Sequence, residues 1–224
     1  MSFKNEIWTT DIKGLDLFAK EVFYPMSGLL REGPVNMALK SEAQKGLENI
    51  YEDIKPIGIS SYYEDVTLKG GRLEFDNTFL YSQVLELIDP KKVKGALIYF
   101  LTIGSFQDNE KIMEKLMEDF WQTAYVDSAR KRFYLDMKEK IGNLHLSEEL
   151  GPGFFGMSVE SVNRFNKLLD SERIGIDVNP KGFMKPEKSV AGLFIVTENE
   201  PVTFPQKCLF CKGNEKGCAY CTKE

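Results

Sequence analysis

The feature that most constrains the fold is a nearly continuous apolar segment in the middle of the chain, from Val93 to Ile103. A strand that is apolar on both faces is typical of the centre of a sheet that is covered on both sides. Its longest apolar run, Ala96 to Ile103, is interrupted by Tyr99 and Thr102 and is far shorter than the roughly 20 residues of a membrane-spanning helix. The sequence therefore predicts a central buried strand that ends at Gly104, and no membrane association.

The pattern around this strand predicts further helices and strands, each bounded by glycine, proline or a capping residue. In chain order they are a helix over 37–54 capped by Asn36, a strand over 57–61, a hairpin over 66–75 that turns at 69–72, a short helix from Asn77 or Thr78 to Asp89, a helix over 158–173, a strand over 174–178 and a strand over 190–197.

Residues 108–141 contain neither glycine nor proline, and such a length exceeds that of one ordinary globular helix. We expect two helices there, broken or bent near residues 126–128. Because strands and helices do not alternate regularly, the order favours an α+β fold with a mixed, mainly antiparallel twisted sheet and long helices. We expect this domain to occupy residues 1–200 and a short cysteine-rich tail to occupy residues 201–224.

The net charge and the N-terminal sequence exclude some classes of protein. The formal net charge is −5, which disfavours binding to a nucleic-acid backbone. The first residues carry no apolar signal core, so we expect a cytoplasmic location.

A loop over residues 151–157 is the strongest candidate for a binding site, and we call it the glycine loop. Its sequence is GPGFFGM, followed by a helix start at Ser158, and bare backbone at such a place can press N–H groups against a polar ligand. A structural turn accounts for the same residues. The loop also satisfies G-x-G-x-x-G, with Asp177 near the end of the next strand, which is the pattern of a dinucleotide-binding oxidoreductase. No buried strand is predicted directly before it, however, and Glu148 and Glu149 would repel a pyrophosphate.

Several segments resemble the activation domain of cobalamin-dependent methionine synthase. They are Pro152-Gly153-Phe154, the following helix, Ile174-Gly175-Ile176, Phe183-Met184, Pro186 and Ser189-Val190-Ala191-Gly192, with Thr102-Ile103-Gly104 as a looser match upstream. In that family the loop reads Arg-Pro-Ala-Pro-Gly-Tyr-Pro-Ala-Cys, and the later segment runs through Pro-x-x-Ser-Val-Ser-Gly. The resemblance covers residues 150–196 well, 93–149 less closely and the rest faintly.

The resemblance implies a fold, a ligand and partners. The family domain binds S-adenosylmethionine and presents it to cobalamin held on the synthase, where the methyl group and one electron restore methylcobalamin from the inactive cob(II) state. A flavodoxin- or ferredoxin-type protein would supply the electron. The chain length leaves no room for cobalamin- and folate-binding modules, so we expect a separate polypeptide acting on a synthase that lacks its own activation domain. Another corrinoid methyltransferase is an alternative client, and we expect no turnover by the chain alone.

The same resemblance assigns site residues one at a time. Gly153 and Phe154 match the family's Gly-Tyr, and Phe154 retains a ring that can stack on the adenine or the sulfonium. Gly156 stands where the family has alanine, and an acidic residue that pairs with the ligand's amino group falls near Asp136. The family's arginine, which holds the ligand carboxylate, falls on Glu149. The complete set of predicted ligand contacts is Asp136, Pro152, Gly153, Phe154, Phe155, Gly156 and Met157.

Because Glu149 reverses the charge of that arginine, another cation must take the carboxylate if affinity is to be kept. Arg164, Arg173 and Lys181 are the candidates from the sequence.

The four cysteines form two CxxC knuckles in the tail, at Cys208, Cys211, Cys218 and Cys221. Four thiolates complete a tetrahedral site, for which zinc is favoured over an iron–sulfur cluster. Two local disulfides or free thiols remain an alternative. A metal-bearing interaction module that binds no small molecule is therefore a further hypothesis for the whole chain.

Overall fold

The structure is a computed structural model that describes residues 2–30, 33–107 and 109–204. Its strands are β1 (Phe3–Thr9), β2 (Ile57–Tyr63), β3 (Thr67–Lys69), β4 (Arg72–Phe75), β5 (Thr78–Tyr81), β6 (Val93–Thr102), β7 (His145–Leu146), β8 (Asp177–Val178), β9 (Met184–Lys185) and β10 (Ser189–Thr197). Its α-helices are α1 (Asp16–Ser27), α2 (Pro34–Ile50), α3 (Ile112–Lys140) and α4 (Val162–Leu168).

A five-stranded antiparallel sheet in the order β1-β2-β6-β10-β7 forms the centre of the described chain. The apolar strand β6 lies in its middle, as predicted, and is hydrogen-bonded to β2 on one side and β10 on the other. Alternate residues of β6 face two different hydrophobic clusters. The predicted α+β class is confirmed, and so is the hairpin that turns at Gly70-Gly71.

Helices α1, α2 and α3 cover one face of the central sheet. Phe23 of α1 stacks on Trp121 of α3 with ring centroids 3.7 Å apart, and the Trp121 indole donates to the Ala43 carbonyl of α2 at 2.7 Å. The prediction of two helices over 108–141 is wrong. One helix of 29 residues, about 43 Å long, crosses the face. Val126 and Ser128, where the break was expected, are both buried in the middle of this helix.

The opposite face is covered by α4, by a second sheet in the order β3-β4-β5 and by single helical turns. The helix predicted to start at Asn77 or Thr78 is wrong. Asp76 and Asn77 both have positive φ, +46° and +61°, and form a tight turn that leads β4 into β5. Two consecutive residues of this kind are the geometry of a two-residue hairpin, which Asn and Asp tolerate.

The C-terminal third is built from shorter elements than the sequence predicts. The helix expected over 158–173 is divided into a turn at Val159–Ser161, α4, and a turn at Ser171–Ile174 that ends at Gly175 with φ of +73°. The strand expected over 174–178 contracts to β8, whereas the strand expected over 190–197 is confirmed as β10.

The chain continues to pack against the domain beyond the boundary predicted at residue 200. Val202 accepts a hydrogen bond from the Glu148 amide at 3.1 Å, and the Phe204 ring lies 5.5 Å from that of Phe155. The four tail cysteines, Cys208, Cys211, Cys218 and Cys221, lie outside the described residues. No helix in the described ranges is long and apolar enough to span a bilayer.

Candidate functional site

A cleft of about 480 Å³ opens beside the glycine loop, and it brings together two segments that are distant in sequence. One is the region 149–154, and the other is 182–191, which leads through β9 into β10. Helix α3 closes the cleft with Arg130. Its lining residues are Arg130, Glu149, Gly151, Pro152, Phe154, Val159, Val162, Gly182, Phe183, Met184, Glu187, Ser189, Val190 and Ala191. Residues of several segments that carried the resemblance, among them Pro152, Phe183 and Ser189, therefore meet here.

Buried anchors fix the glycine loop. The side chains of Phe155 and Met157 are 3% and 2% exposed and belong to the core. The Phe155 carbonyl accepts from the Ser82 hydroxyl at 2.7 Å and from the Gln83 amide at 3.1 Å. With Phe155 turned inward at φ of +50°, the neighbouring Phe154 faces the cleft and is 49% exposed.

The predicted loop contacts thus divide into two groups. Pro152 and Phe154 line the cleft. Gly153, Phe155, Gly156 and Met157 are not among its lining residues and serve to shape the loop. At Gly156 φ is +76°, and an added Cβ would lie 2.8 Å from the Gln83 side chain, so the chain requires glycine there.

Several backbone N–H groups of the glycine loop donate hydrogen bonds within the loop itself, which the sequence did not suggest. Gly153 donates to the Met157 carbonyl at 2.9 Å, Phe154 to Gly151 at 3.1 Å and Met157 to Phe154 at 2.9 Å. These three amides stabilise the turn itself. These three N–H groups are therefore not free to face the cleft.

A charged pair at the inner end of the cleft was not predicted. The Glu149 carboxylate accepts hydrogen bonds from the Arg130 guanidinium and from the Tyr99 hydroxyl, and Arg130 also pairs with Asp127 at 2.8 Å. Burial, followed by the charge of Glu149, holds the pKa of the Tyr99 hydroxyl well above its ordinary value. Burial lowers the pKa of the Arg130 guanidinium, but the neighbouring Tyr99 and Glu149 outweigh it, so that the net pKa shift is upward. Arg130 therefore stays a cation at any ordinary pH.

Arg130, and none of the three cations proposed from the sequence, is the lining cation of this cleft. Arg164 stacks on the Phe79 ring at 3.8 Å and donates to the Phe79 carbonyl, and Arg173 donates to the Asn5 carbonyl at 3.0 Å. Lys181 is likewise not a lining residue. The signal for Arg130 was available in the sequence, since it is a charged residue spaced between Val126 and Phe133 on the apolar stripe of a helix.

Two buried polar atoms of the described chain lack a hydrogen-bond partner, and both belong to residues that line this cleft. They are Nε of Arg130 and Oγ of Ser189, and Ser189 is 7% exposed. Buried polar atoms in folded proteins are nearly always satisfied, because an unpaired one costs about 1–3 kcal/mol. Both atoms are therefore unpaired donors of residues that line the same cleft.

Asp136 is not brought to the cleft. Its carboxylate accepts from the Trp8 indole at 2.8 Å and pairs with Arg132 at 2.8 Å, one turn along α3. Trp8 belongs to β1, at the edge of the central sheet that lies opposite β7. The acidic residues that do line the cleft are Glu149 and Glu187.

The backbone around the glycine loop does not have the form of a dinucleotide site. The strand before it, β7, is a two-residue edge strand antiparallel to β10, and the loop leads into a helical turn that continues into the seven-residue α4. The dinucleotide fingerprint needs a parallel βαβ unit with a full helix after the glycines. The Ser158 hydroxyl does accept from the Glu160 amide at 3.3 Å, so the predicted cap is present.

No cluster of three or more histidine, cysteine or acidic side chains in the described ranges is arranged to hold a metal ion. The predicted thiolate ligands lie in the tail and are outside those ranges.

No protein-family model matches the sequence, and no curated protein matches it either. Among solved structures, the crystal structure of the MetH reactivation domain bound to AdoHcy matches with a TM-score of 0.67 and 12% sequence identity. The alignment covers 89% of this chain and 81% of that chain. The chain therefore has the fold of the MetH reactivation domain, which confirms the fold expected from the resemblance.

Proposed function

We propose that this chain binds S-adenosylmethionine in the cleft and takes part in the reactivation of a cobalamin-dependent methionine synthase. One observation carries the proposal. The sequence segments that resemble the activation domain, around Pro152–Phe154 and around Ser189–Ala191, line a single cleft on a fold that matches the MetH reactivation domain. That neighbour was solved with AdoHcy, the compound that remains when S-adenosylmethionine has given up its methyl group.

The chemistry of the cleft suits this ligand. Its volume of about 480 Å³ lies within the roughly 300–1,000 Å³ of small-molecule sites. The exposed rings of Phe154 and Phe183 offer π faces for an adenine or a sulfonium. The carboxylates of Glu149 and Glu187 favour the cationic groups of the ligand. Among the described residues, Arg130 is the cation that lines the cleft and can take its carboxylate.

When bound, S-adenosylmethionine would supply a methyl cation equivalent to the cobalt of a cobalamin held by the partner, with one electron from a flavodoxin- or ferredoxin-type donor. In this proposal the chain orients the sulfonium and excludes water, while the partner carries the reactive metal. The rim exposes apolar side chains, with Phe183 at 63% and Val159 at 48%, which favours a protein surface as the cover of the cleft.

The proposed partner is a synthase on a separate polypeptide, in the cytoplasm. Mixing the full chain with a synthase that lacks its own activation domain, a reductant and S-adenosylmethionine tests this part. Recovery of methylcobalamin only when the chain is present supports it. Recovery with a different corrinoid methyltransferase instead would identify the alternative client.

Phe154→Ala tests the binding site directly. We expect S-adenosylmethionine to raise the melting temperature of the wild-type chain, because a ligand that binds the folded state stabilises it. Loss of the ring should weaken that binding about tenfold, since a cation–π contact of a partly desolvated ring contributes up to about 2 kcal/mol.

Leu17→Ala is the matched control, because Leu17 is 69% exposed and does not line the cleft. Its affinity should equal that of the wild type. Stabilisation of the wild type by NAD(P), and not by S-adenosylmethionine, would overturn the proposed ligand in favour of the dinucleotide hypothesis.

We also propose that Cys208, Cys211, Cys218 and Cys221 hold one metal ion, with zinc favoured over an iron–sulfur cluster. Two CxxC knuckles supply the four thiolates of a closed structural site. The purified full chain should contain about one zinc per molecule, and Cys208→Ser/Cys211→Ser should lose it. Elemental analysis checks both. If the chain instead contains iron and acid-labile sulfide, the tail holds an iron–sulfur cluster and not zinc. If it contains no metal and its thiols react freely, the metal-site proposal is wrong.

A further inference from the structure

The cleft holds two hydrogen-bond donors that nothing in the described chain satisfies, and both suit the same kind of ligand group. Nε of Arg130 carries an N–H, and Oγ of Ser189 carries an O–H. Ser189 is held at the start of β10 by its pairing with Thr102, and the residue is 93% buried. Both residues line the cleft, whereas the two donor atoms are themselves buried. An acceptor from the cleft therefore reaches them with a small adjustment of the two side chains.

We infer that Arg130 and Ser189 form a carboxylate subsite, which takes the carboxylate of the amino-acid end of the ligand. This inference rests on the proposed function, because it names the residues that read one end of the proposed ligand. A carboxylate accepts from an N–H and an O–H at once, and a hydrogen bond from a guanidinium is charge-assisted. An ammonium group is excluded there, since it has no acceptor and would face the positive charge of Arg130.

The guanidinium is already oriented before any ligand arrives. Asp127 holds one terminal nitrogen at 2.8 Å, and Glu149 holds the other. These contacts leave Nε as the guanidinium nitrogen without a hydrogen-bond partner. A ligand carboxylate can therefore bind without displacing Glu149, and preorganisation of this kind lowers the entropy lost on binding.

Glu187 places a negative charge in the same cleft as the donors of Arg130 and Ser189. It is an exposed carboxylate among the lining residues, close in sequence to Ser189. The cleft consequently offers donors at Arg130 and Ser189, and an acceptor for cations at Glu187. A ligand with a carboxylate and a separate positive charge matches this arrangement better than a neutral nucleoside does.

The test compares three compounds on the full chain by titration calorimetry: S-adenosylmethionine, its decarboxylated analogue, and methylthioadenosine, which lacks the whole amino-acid end. We expect the wild type to bind the decarboxylated analogue about 30-fold more weakly than S-adenosylmethionine, the magnitude of a lost charge-assisted contact. Ser189→Ala should weaken S-adenosylmethionine about tenfold and leave the decarboxylated analogue unchanged. Arg130→Lys keeps a cation for Glu149 and removes the Nε donor. It should likewise reduce the ratio of the affinities for S-adenosylmethionine and its decarboxylated analogue.

Stability provides a second readout that a structural role would not reproduce. Because the Ser189 hydroxyl has no partner without ligand, Ser189→Ala should melt at the wild-type temperature or above it. Ser61→Ala is the matched control: its buried hydroxyl accepts from the Asn5 amide at 2.9 Å. That variant should melt lower than the wild type and retain the full discrimination between the compounds.

The outcomes separate the subsite from the proposed function. Equal binding of S-adenosylmethionine and its decarboxylated analogue by the wild type would overturn the subsite and leave the ligand class standing. An equal loss of affinity for both compounds in Ser189→Ala would overturn it as well. If the wild type binds none of the three compounds, alone or with the synthase present, the proposed ligand is wrong and the subsite falls with it.

Discussion

Arg130→Met is expected to lower the free energy of unfolding by about 2–3 kcal/mol, because it leaves the Glu149 carboxylate without its cation. The side chains of Arg130 and Glu149 are only 28% and 24% exposed. Removing one partner of a fully buried pair costs about 3–5 kcal/mol, and the remaining contact with water reduces this figure. Urea unfolding of the full chain, monitored by the fluorescence of its tryptophans, measures the effect.

A double-mutant cycle shows how much of this loss comes from the pair itself. In the Arg130→Met background, Glu149→Gln should restore part of the stability, since it removes the stranded charge, whereas in the wild type it should be destabilising. Lys92→Met is the control, because the Lys92–Glu200 pair is 53% and 66% exposed. It should change stability by less than about 0.5 kcal/mol. If Arg130→Met is no worse than Lys92→Met, the inner pair does not stabilise the fold.

The parts of the fold that the sequence predicts well are those in which local pattern and burial agree. β6 is apolar at almost every position because both of its faces are covered. The hairpin between β3 and β4 follows from two adjacent glycines that both have positive φ. Helix α3 could not be predicted as one element, because its continuity depends on a sheet face long enough to bury it. Composition says nothing about the length of that face.

The candidate site likewise has a part that local sequence signals predict and a part that depends on tertiary structure. The glycine loop stands out in the sequence because its glycines and proline are local signals. The participation of Arg130 depends on tertiary structure, because α3 must lie across the sheet before its side chain can reach Glu149. Ser189 was part of the resembling segment, yet only the structure shows that its hydroxyl is buried and without a partner. Asp136 does not line the cleft, and its carboxylate instead accepts from the Trp8 indole.

The register of β6 and β10 places Gly192 directly opposite Tyr99, on the helix-covered face of the sheet. A Cβ at Gly192 would lie 2.6 Å from the Tyr99 ring and 2.7 Å from a Glu149 oxygen. The ring cannot move away easily, since it packs against Phe133 with centroids 4.6 Å apart and against Phe194 at 5.7 Å. The small residue is therefore what allows the tyrosine to reach Glu149 behind the cleft.

We expect Gly192→Ala to destabilise the chain by about 3 kcal/mol, the upper part of the usual range for overpacking, and to lower the melting temperature by about 10 °C. It should also weaken S-adenosylmethionine binding, because a displaced Tyr99 no longer holds Glu149 at the cleft. Scanning calorimetry measures the first effect and ligand titration the second. Gly14→Ala is the matched control: an added Cβ there meets nothing within 4 Å. That variant should melt within a few degrees of the wild type, about the range of neutral surface changes.

The cause can be isolated by making room for the new methyl group. In a Tyr99→Leu background the ring atoms nearest to Gly192 are gone, and the remaining contact is with the Glu149 oxygen, the end of a side chain that has lost its tyrosine partner. The added cost of Gly192→Ala should therefore fall to about 1 kcal/mol. A steric origin requires this strong non-additivity, because the two substitutions act on the same space. If Gly192→Ala costs as much in the Tyr99→Leu background as in the wild type, the contact with Tyr99 is not what demands glycine at this position, and the Glu149 oxygen or the backbone of β10 is.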